Sequence, residues 1–244
     1  MKGLLALFVT FFFQTGFAKV LVGSDPYPPF IYTENGKTAG RMVEFLPLIM
    51  EVQPKDIVYR ILPWKRVLAD AEKGQLDFIG PLLETEERKK YLVFTEPIFK
   101  GNISLWVYRK NPRIKHLLSE TFDGSKSSKF DHLIFGQILG YSFNDSQESP
   151  YNHNKVRKVE VLTVEQGVKM LATGRIDIFL AFDPVIEHFI SELKLQKGDF
   201  ASLAGVSQEV NYVMGISKKS PWAQKVGQIN FRIAEVSKKK KRVK

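Results

Sequence analysis

Between Pro63 and Pro97 the chain reads PWKRVLADAEKGQLDFIGPLLETEERKKYLVFTEP, and few folds accommodate that order. Val67, Leu68 and Ala71 mark a helix from about Trp64, with Gly74 as its C-terminal stop. Leu76 to Ile79 and Leu92 to Phe94 read as short buried strands. The loop between them holds Arg88 among acidic and hydroxyl residues. Arg88 is thereby expected where strand ends meet solvent, the usual place for a ligand site in α/β proteins.

The preceding residues fit the same plan. KVLVGSD is a compact strand that runs into SDPYPPF, where Pro28 and Pro29 hold the backbone extended and present Tyr27, Phe30 and Tyr32. Asn35 and Gly36 in ENGK tolerate positive φ and predict a hairpin turn. Apolar residues recur at helical period from Arg41 to Val52, with Pro47 expected early in that helix, and Ile57 to Leu62 is a second strand. A β-α-β order of this kind implies a right-handed crossover and a parallel pair.

Beyond the long strand-like run Phe99 to Arg109, composition turns polar through Lys129, which predicts passage into a second domain. Strands are expected at Leu133–Ile138, Val159–Leu162, Ile176–Phe182 and Asn211–Ser217. Helices are expected at Val164–Thr173, Pro184–Leu193 and Trp222–Val236. Two segments echo each other, ADAEKGQLDFIGP and MLATGRIDIFLAFD, each a helix, a glycine and a strand.

Charge and composition narrow the class. With 44% hydrophobic and 25% charged residues the chain is an ordinary globular protein. Of the net charge of +10, six units lie in the tail from Lys238 to Lys244 and one is Lys2, so the body between carries only +3. A terminal lysine run reads as a solvated, disordered end, and nucleic-acid binding has nothing else in its favour. Residues 1–18, with Lys2, an apolar run from Leu4 to Phe13 and the small residues Gly16 and Ala18, read as a signal peptide cleaved after Ala18. The mature chain is then expected to be exported, without disulfides since cysteine is absent. His116, His132, His153 and His188 show no ligand spacing, and there is no nucleophile elbow or phosphate-binding glycine loop, so neither metal, cofactor nor enzyme chemistry is indicated.

Taken in order, SDPYPPF, KGQLDFIG, TEERKKYLVFTEPI, ATGRIDIFLAFD and NYVMGISKKSPWAQKVGQIN resemble the periplasmic solute-binding proteins of amino-acid ABC transporters, family 3. The resemblance implies an α/β, two-lobed, type II periplasmic binding fold with two crossover strands and a ligand clamped between the lobes. Lobe 1 would comprise residues 19–106 plus 211–236 and lobe 2 residues 107–210, followed by a basic tail. Arg88 resembles the arginine that grips a ligand carboxylate, with Thr85 three residues before it. Asp183 resembles the second-lobe acid that accepts a ligand ammonium. Gly140, Tyr141 and Ser142 resemble the second-lobe loop that caps the carboxylate, and Tyr27 and Trp64 fall where the family places pocket walls.

Three features depart from the family pattern, one being the lysine tail in place of a last short apolar segment. Gly80 to Glu84 replaces a hydroxyl-rich run, and PWKR adds Arg66 near the expected cleft, where it could select a second anionic group. The expected partners are a small amino-acid-like or anionic solute and an inner-membrane ABC permease, with the protein itself a periplasmic monomer that binds no nucleic acid. An alternative on the same scaffold is a dehydratase acting on a prephenate-like acid, with Glu44 or Asp183 as its acid. A sensory protein presenting ligand to a receptor is another.

Overall fold

A computed structural model describes residues 19–119, 127–141 and 156–242. The expected signal peptide, the 120–126 segment and Ser142 lie outside the described residues. Strand β1 (Val20–Ser24) leads into a hairpin of β2 (Tyr32–Glu34) and β3 (Lys37–Ala39), turned by Asn35 at φ 50° and Gly36 at φ 73°. Helix α1 (Arg41–Met50) then crosses to β4 (Ile57–Ile61), which pairs parallel with β1 from Val20↔Ile57 to Ser24↔Ile61. Pro47 lies well inside α1 instead of near its start. Its missing N–H frees the carbonyl of Val43 four residues earlier, and the Tyr59 hydroxyl stands 3.5 Å from that oxygen.

Helix α2 (Trp64–Lys73) ends at Gly74, at φ 78°, and is followed by β5 (Phe78–Leu82), the single turn α3 (Glu86–Lys89) and β6 (Leu92–Phe94). Strand β5 begins and ends later than the apolar run predicts and includes Pro81. Its β1 partners stop at Ile79, so on that side the missing N–H of Pro81 costs no ladder bond.

The other half contains β7 (Phe99–Tyr108), β8 (Ile134–Ile138), β9 (Arg157–Val161), α4 (Val164–Ala172), β10 (Ile178–Phe182), α5 (Asp183–Glu192) and β11 (Phe200–Ser202). Strand β12 (Gln208–Ser217) then returns, and α6 (Val226–Arg242) closes the chain. The strands run in the order β4-β1-β5-β12-β7-β10-β8-β9. Residues 208–212 of β12 pair with β7, and residues 213–217 pair with β5 and β6, so β7 and β12 join the two halves.

The sequence echo is a structural one. Asp77 donates its N–H to the Leu21 carbonyl at 2.8 Å and accepts the Leu21 N–H on its carboxylate at 2.8 Å. Asp177 does the same with Ile134, at 2.8 and 2.9 Å. Each aspartate follows a helix stopped by a left-handed glycine, Gly74 or Gly174, and each fastens its own strand to the one beside it. Ser220 adds a hydroxyl to Asp77, while Asn111 and Arg113 add two donors to the fully buried Asp177.

The end of the chain departs from expectation. Pro221–Lys225 is a 3₁₀ turn, and α6 continues through the lysine run to Arg242 instead of fraying at Val236. Lysine is a good helix former, and cations suit the negative end of the helix dipole. Trp222 packs edge-on against Phe78, 5.6 Å between ring centres, and anchors the start of this helix to the first half.

Removing either aspartate leaves a buried backbone N–H without its acceptor, a loss of about 1–3 kcal/mol. Asp77→Ala is expected to cost that much. Asp177→Ala is expected to cost more, about 2–6 kcal/mol, because the buried Asn111 amide loses its acceptor as well. Urea denaturation of both variants checks the order.

Candidate functional site

The carboxyl ends of β1, β5, β8 and β10 lead to Asp25, to the Leu83–Arg88 turn, to Gly140–Tyr141 and to Asp183 respectively. Thr85 caps α3 by accepting the Arg88 N–H at 3.2 Å, which fixes Arg88 one residue before the helix ends. The Arg88 side chain turns inward and is only 4% exposed. Its Nη1 donates to the Leu83 carbonyl at 2.7 Å and its Nη2 to the Gly140 carbonyl at 3.1 Å. The guanidinium carbon lies 5.6 Å from the Trp64 ring centre, within cation–π range. Burial lowers the Arg88 pKa from its ordinary value, yet a guanidinium keeps its proton in proteins. Among the described residues no carboxylate forms an ion pair with it.

Gly140 serves the site through its carbonyl, which also accepts the Trp64 indole N–H at 3.2 Å. The family resemblance gives this loop the capping of a ligand carboxylate. Next to it, the Tyr141 hydroxyl donates to Asp25 at 2.6 Å, and the Tyr141 ring meets Trp64 edge-on. Tyr27 donates to the Tyr212 hydroxyl at 2.8 Å and lies parallel to Phe182, 5.9 Å between ring centres. Tyr27, Trp64, Arg88, Tyr141 and Tyr212 line one small cavity of about 30 Å³.

The remaining candidates stand elsewhere. Asp183 begins α5 and spends its oxygens on the Trp106 indole at 2.8 Å and the Ser104 hydroxyl at 3.1 Å. Burial raises its pKa, those two bonds oppose the shift, and it does not line the Arg88 cavity. Arg66 pairs with Asp70 at 2.8 Å, with 64% of its side chain exposed, and does not reach the Arg88 cavity. Thr85 faces an outer groove of about 830 Å³ that is lined by Glu84, Glu86, Glu87, Glu96 and Glu209. This groove is far larger than the Arg88 cavity, but the buried charge and the converging strand ends belong to the smaller one. Glu44 is exposed on α1. Among the described residues no cluster of histidines and carboxylates could hold a metal ion, and no helix is long and apolar enough to cross a membrane.

Sequence reasoning missed Asp25 and Tyr212. Asp25 is the acid directly after β1 in SDPYPPF, and that position was its only signal. It is 4% exposed, and burial pushes its carboxyl up to about 7, against the opposing bond from Tyr141. Tyr212 lies on β12, the strand shared by both halves, so its place in the site depended on a pairing distant in sequence.

The model of the bacterial extracellular solute-binding proteins, family 3, matches residues 20–242. A probable amino-acid-binding protein, YxeM, of Bacillus subtilis (strain 168) is 26% identical over 153 residues, 62% of this chain and 54% of that protein. The match thus spans about half the length of that relative. Among solved structures, holo ArgBP from T. maritima aligns with a TM-score of 0.72 at 18% identity, covering 90% of this chain and 91% of that one. AbpA from Streptococcus pneumoniae, an amino acid ABC transporter substrate-binding protein bound to L-arginine, gives 0.70 at 18% identity, covering 91% and 90%. A histidine kinase sensor domain with similarity to periplasmic binding proteins gives 0.73 at 18% identity, covering 91% and 92%.

The raised carboxyl of Asp25 has a consequence for pH. Its folded-state stabilisation is fully present below the ordinary carboxyl value of 3.8 and is lost as pH rises through about 7. An uncharged Asn at this position carries no such loss. The melting temperature of Asp25→Asn is therefore expected to gain on that of the wild type from pH 4 to pH 7 and to hold the gain above, as followed by thermal scans across that range.

Proposed function

The chain belongs to the bacterial extracellular solute-binding proteins of family 3 and has their two-lobed, type II periplasmic-binding fold, and from that premise we propose that it captures a small amino-acid-like carboxylate for an ABC importer. Residues 19–106 plus 211–236 form lobe 1 in this reading, and residues 107–210 form lobe 2. The segment 1–18 serves as a cleavable export signal, and the protein works as a periplasmic monomer. The observation that carries the reading is Arg88, a buried cation without a carboxylate partner among the described residues, at the meeting point of the two halves. A ligand carboxylate would offer its guanidinium two parallel charge-assisted bonds in place of neutral carbonyls.

Trp64 supplies a ring beneath the cation and an indole N–H beside it. Tyr27 is held by Tyr212 and Phe182 as a fixed wall. Because Gly140 and Tyr141 reach across to Arg88, Trp64 and Asp25, a ligand seated there touches both lobes. Only affinity that is greater for the closed arrangement can drive closure, and a permease that recognises the closed arrangement then reads occupancy. The likeness to a histidine kinase sensor domain supports a second reading, in which the closed form is presented to a receptor instead.

A thermal-shift screen of amino acids and small carboxylates identifies the solute, since a ligand specific to the folded state raises its stability. With that ligand, Arg88→Lys is expected to weaken binding by about tenfold or more, because the paired donors are lost while the charge remains. Titration calorimetry showing unchanged affinity, with circular dichroism unchanged, would sink the assignment.

A further inference from the structure

A second cavity of about 30 Å³ adjoins the first and is lined by Gln137, Ile138, Leu180, Ala181 and Phe182 on its far side. Tyr27, Ile103, Tyr141 and Tyr212 line both cavities, so these four side chains stand between them. Three of the four are fixed by the sheet or by each other. Ile103 sits within β7, paired with Phe182 and Gln208, and Tyr27 and Tyr212 share a hydrogen bond. Tyr141 comes from the loop after β8, directly after the left-handed Gly140, and it enters from the half opposite Asp25.

The Tyr141 side chain has two effects on this cleft. Its ring fills the space between the cavities beside Trp64, and its hydroxyl takes Asp25 at 2.6 Å. Asp25 lines neither cavity and stays buried behind Tyr141, whose hydroxyl it accepts. A ligand whose carboxylate meets Arg88 would therefore find its far end facing the Tyr141 ring. A cationic side chain would find no free acid there.

We propose that Tyr141 is a specificity-determining residue that limits the cleft to small carboxylates and excludes those with a long cationic side chain. The proposal rests on the reading of Arg88 as the carboxylate anchor. Shortening Tyr141 joins the two cavities and releases Asp25. The merged space then has a guanidinium at one end and, beside the gap that Tyr141 leaves, the carboxylate it had held, a pair of charges complementary to a long amino acid with a positive side chain.

Titration calorimetry with glycine, L-alanine and L-arginine on the wild type, Tyr141→Phe, Tyr141→Ser and Tyr141→Ala tests this. Both Tyr141→Ala and Tyr141→Ser are expected to bind L-arginine at least tenfold more tightly than the wild type. Tyr141→Phe, which releases Asp25 but keeps the ring, is expected to gain less. If both short variants melt cooperatively and neither improves on the wild type for L-arginine, or if the wild type already binds it as tightly, the proposal is overturned. Adding Arg88→Ala to Tyr141→Ala separates the two readings. Loss of the gained affinity supports both. Retention leaves the role of Tyr141 standing and overturns Arg88 as the anchor, whereas Arg88-dependent glycine or alanine binding without any L-arginine gain does the reverse.

Discussion

A guanidinium that leaves water keeps its charge, so the protein around it must offer oxygen in the right places. Arg88 meets this demand with one carbonyl from each half, Leu83 from the loop after β5 and Gly140 from the loop after β8. Much of the architecture at the strand ends follows from that demand. The chain must leave β5 extended, turn at Thr85 and aim a side chain back beneath the sheet edge. The loop after β8 must bend sharply, and Gly140 supplies that bend at φ 83°.

The acids around the cleft are divided by their environment. Asp183 has two neutral donors, an indole and a hydroxyl, and remains half-buried at the start of a helix, where a negative charge is favourable. Asp25 has a single phenol and almost no solvent, and burial dominates its titration. Two carboxylates at equivalent strand ends thus differ in readiness to carry charge near neutral pH. The difference lies first in burial, the largest cause of both shifts and far more complete at Asp25.

Most of the architecture was legible because it is local. Helix α2 and its glycine stop, the Asn35–Gly36 hairpin and the parallel pair around α1 are each written in a dozen neighbouring residues. Arg88 and Tyr27 could be picked out by their place at strand ends, Trp64 and Tyr141 by the family resemblance, and the fold brings them to one cavity. What could not be read was direction and long-range pairing. Arg66 shares a helix with Trp64 but projects elsewhere, where Asp70 one turn on can reach it. The Gly140 carbonyl and the Tyr212 hydroxyl entered the site through contacts more than fifty residues away in sequence.

The course of β12 also bears on the order in which the molecule is assembled during synthesis. Strands β7 to β11 pair among themselves within one continuous stretch, 99–202, and the Asp177 fastening closes inside it. The first half has no such independence. Its sheet gains β12 only after more than two hundred residues have been made, when Ser217 reaches Ala71 and Tyr212 reaches Tyr27. Long loops of this kind are slow to close. The half that the ribosome makes first is therefore the half that is finished last, and its β5 edge stays open for pairing until the final strand arrives.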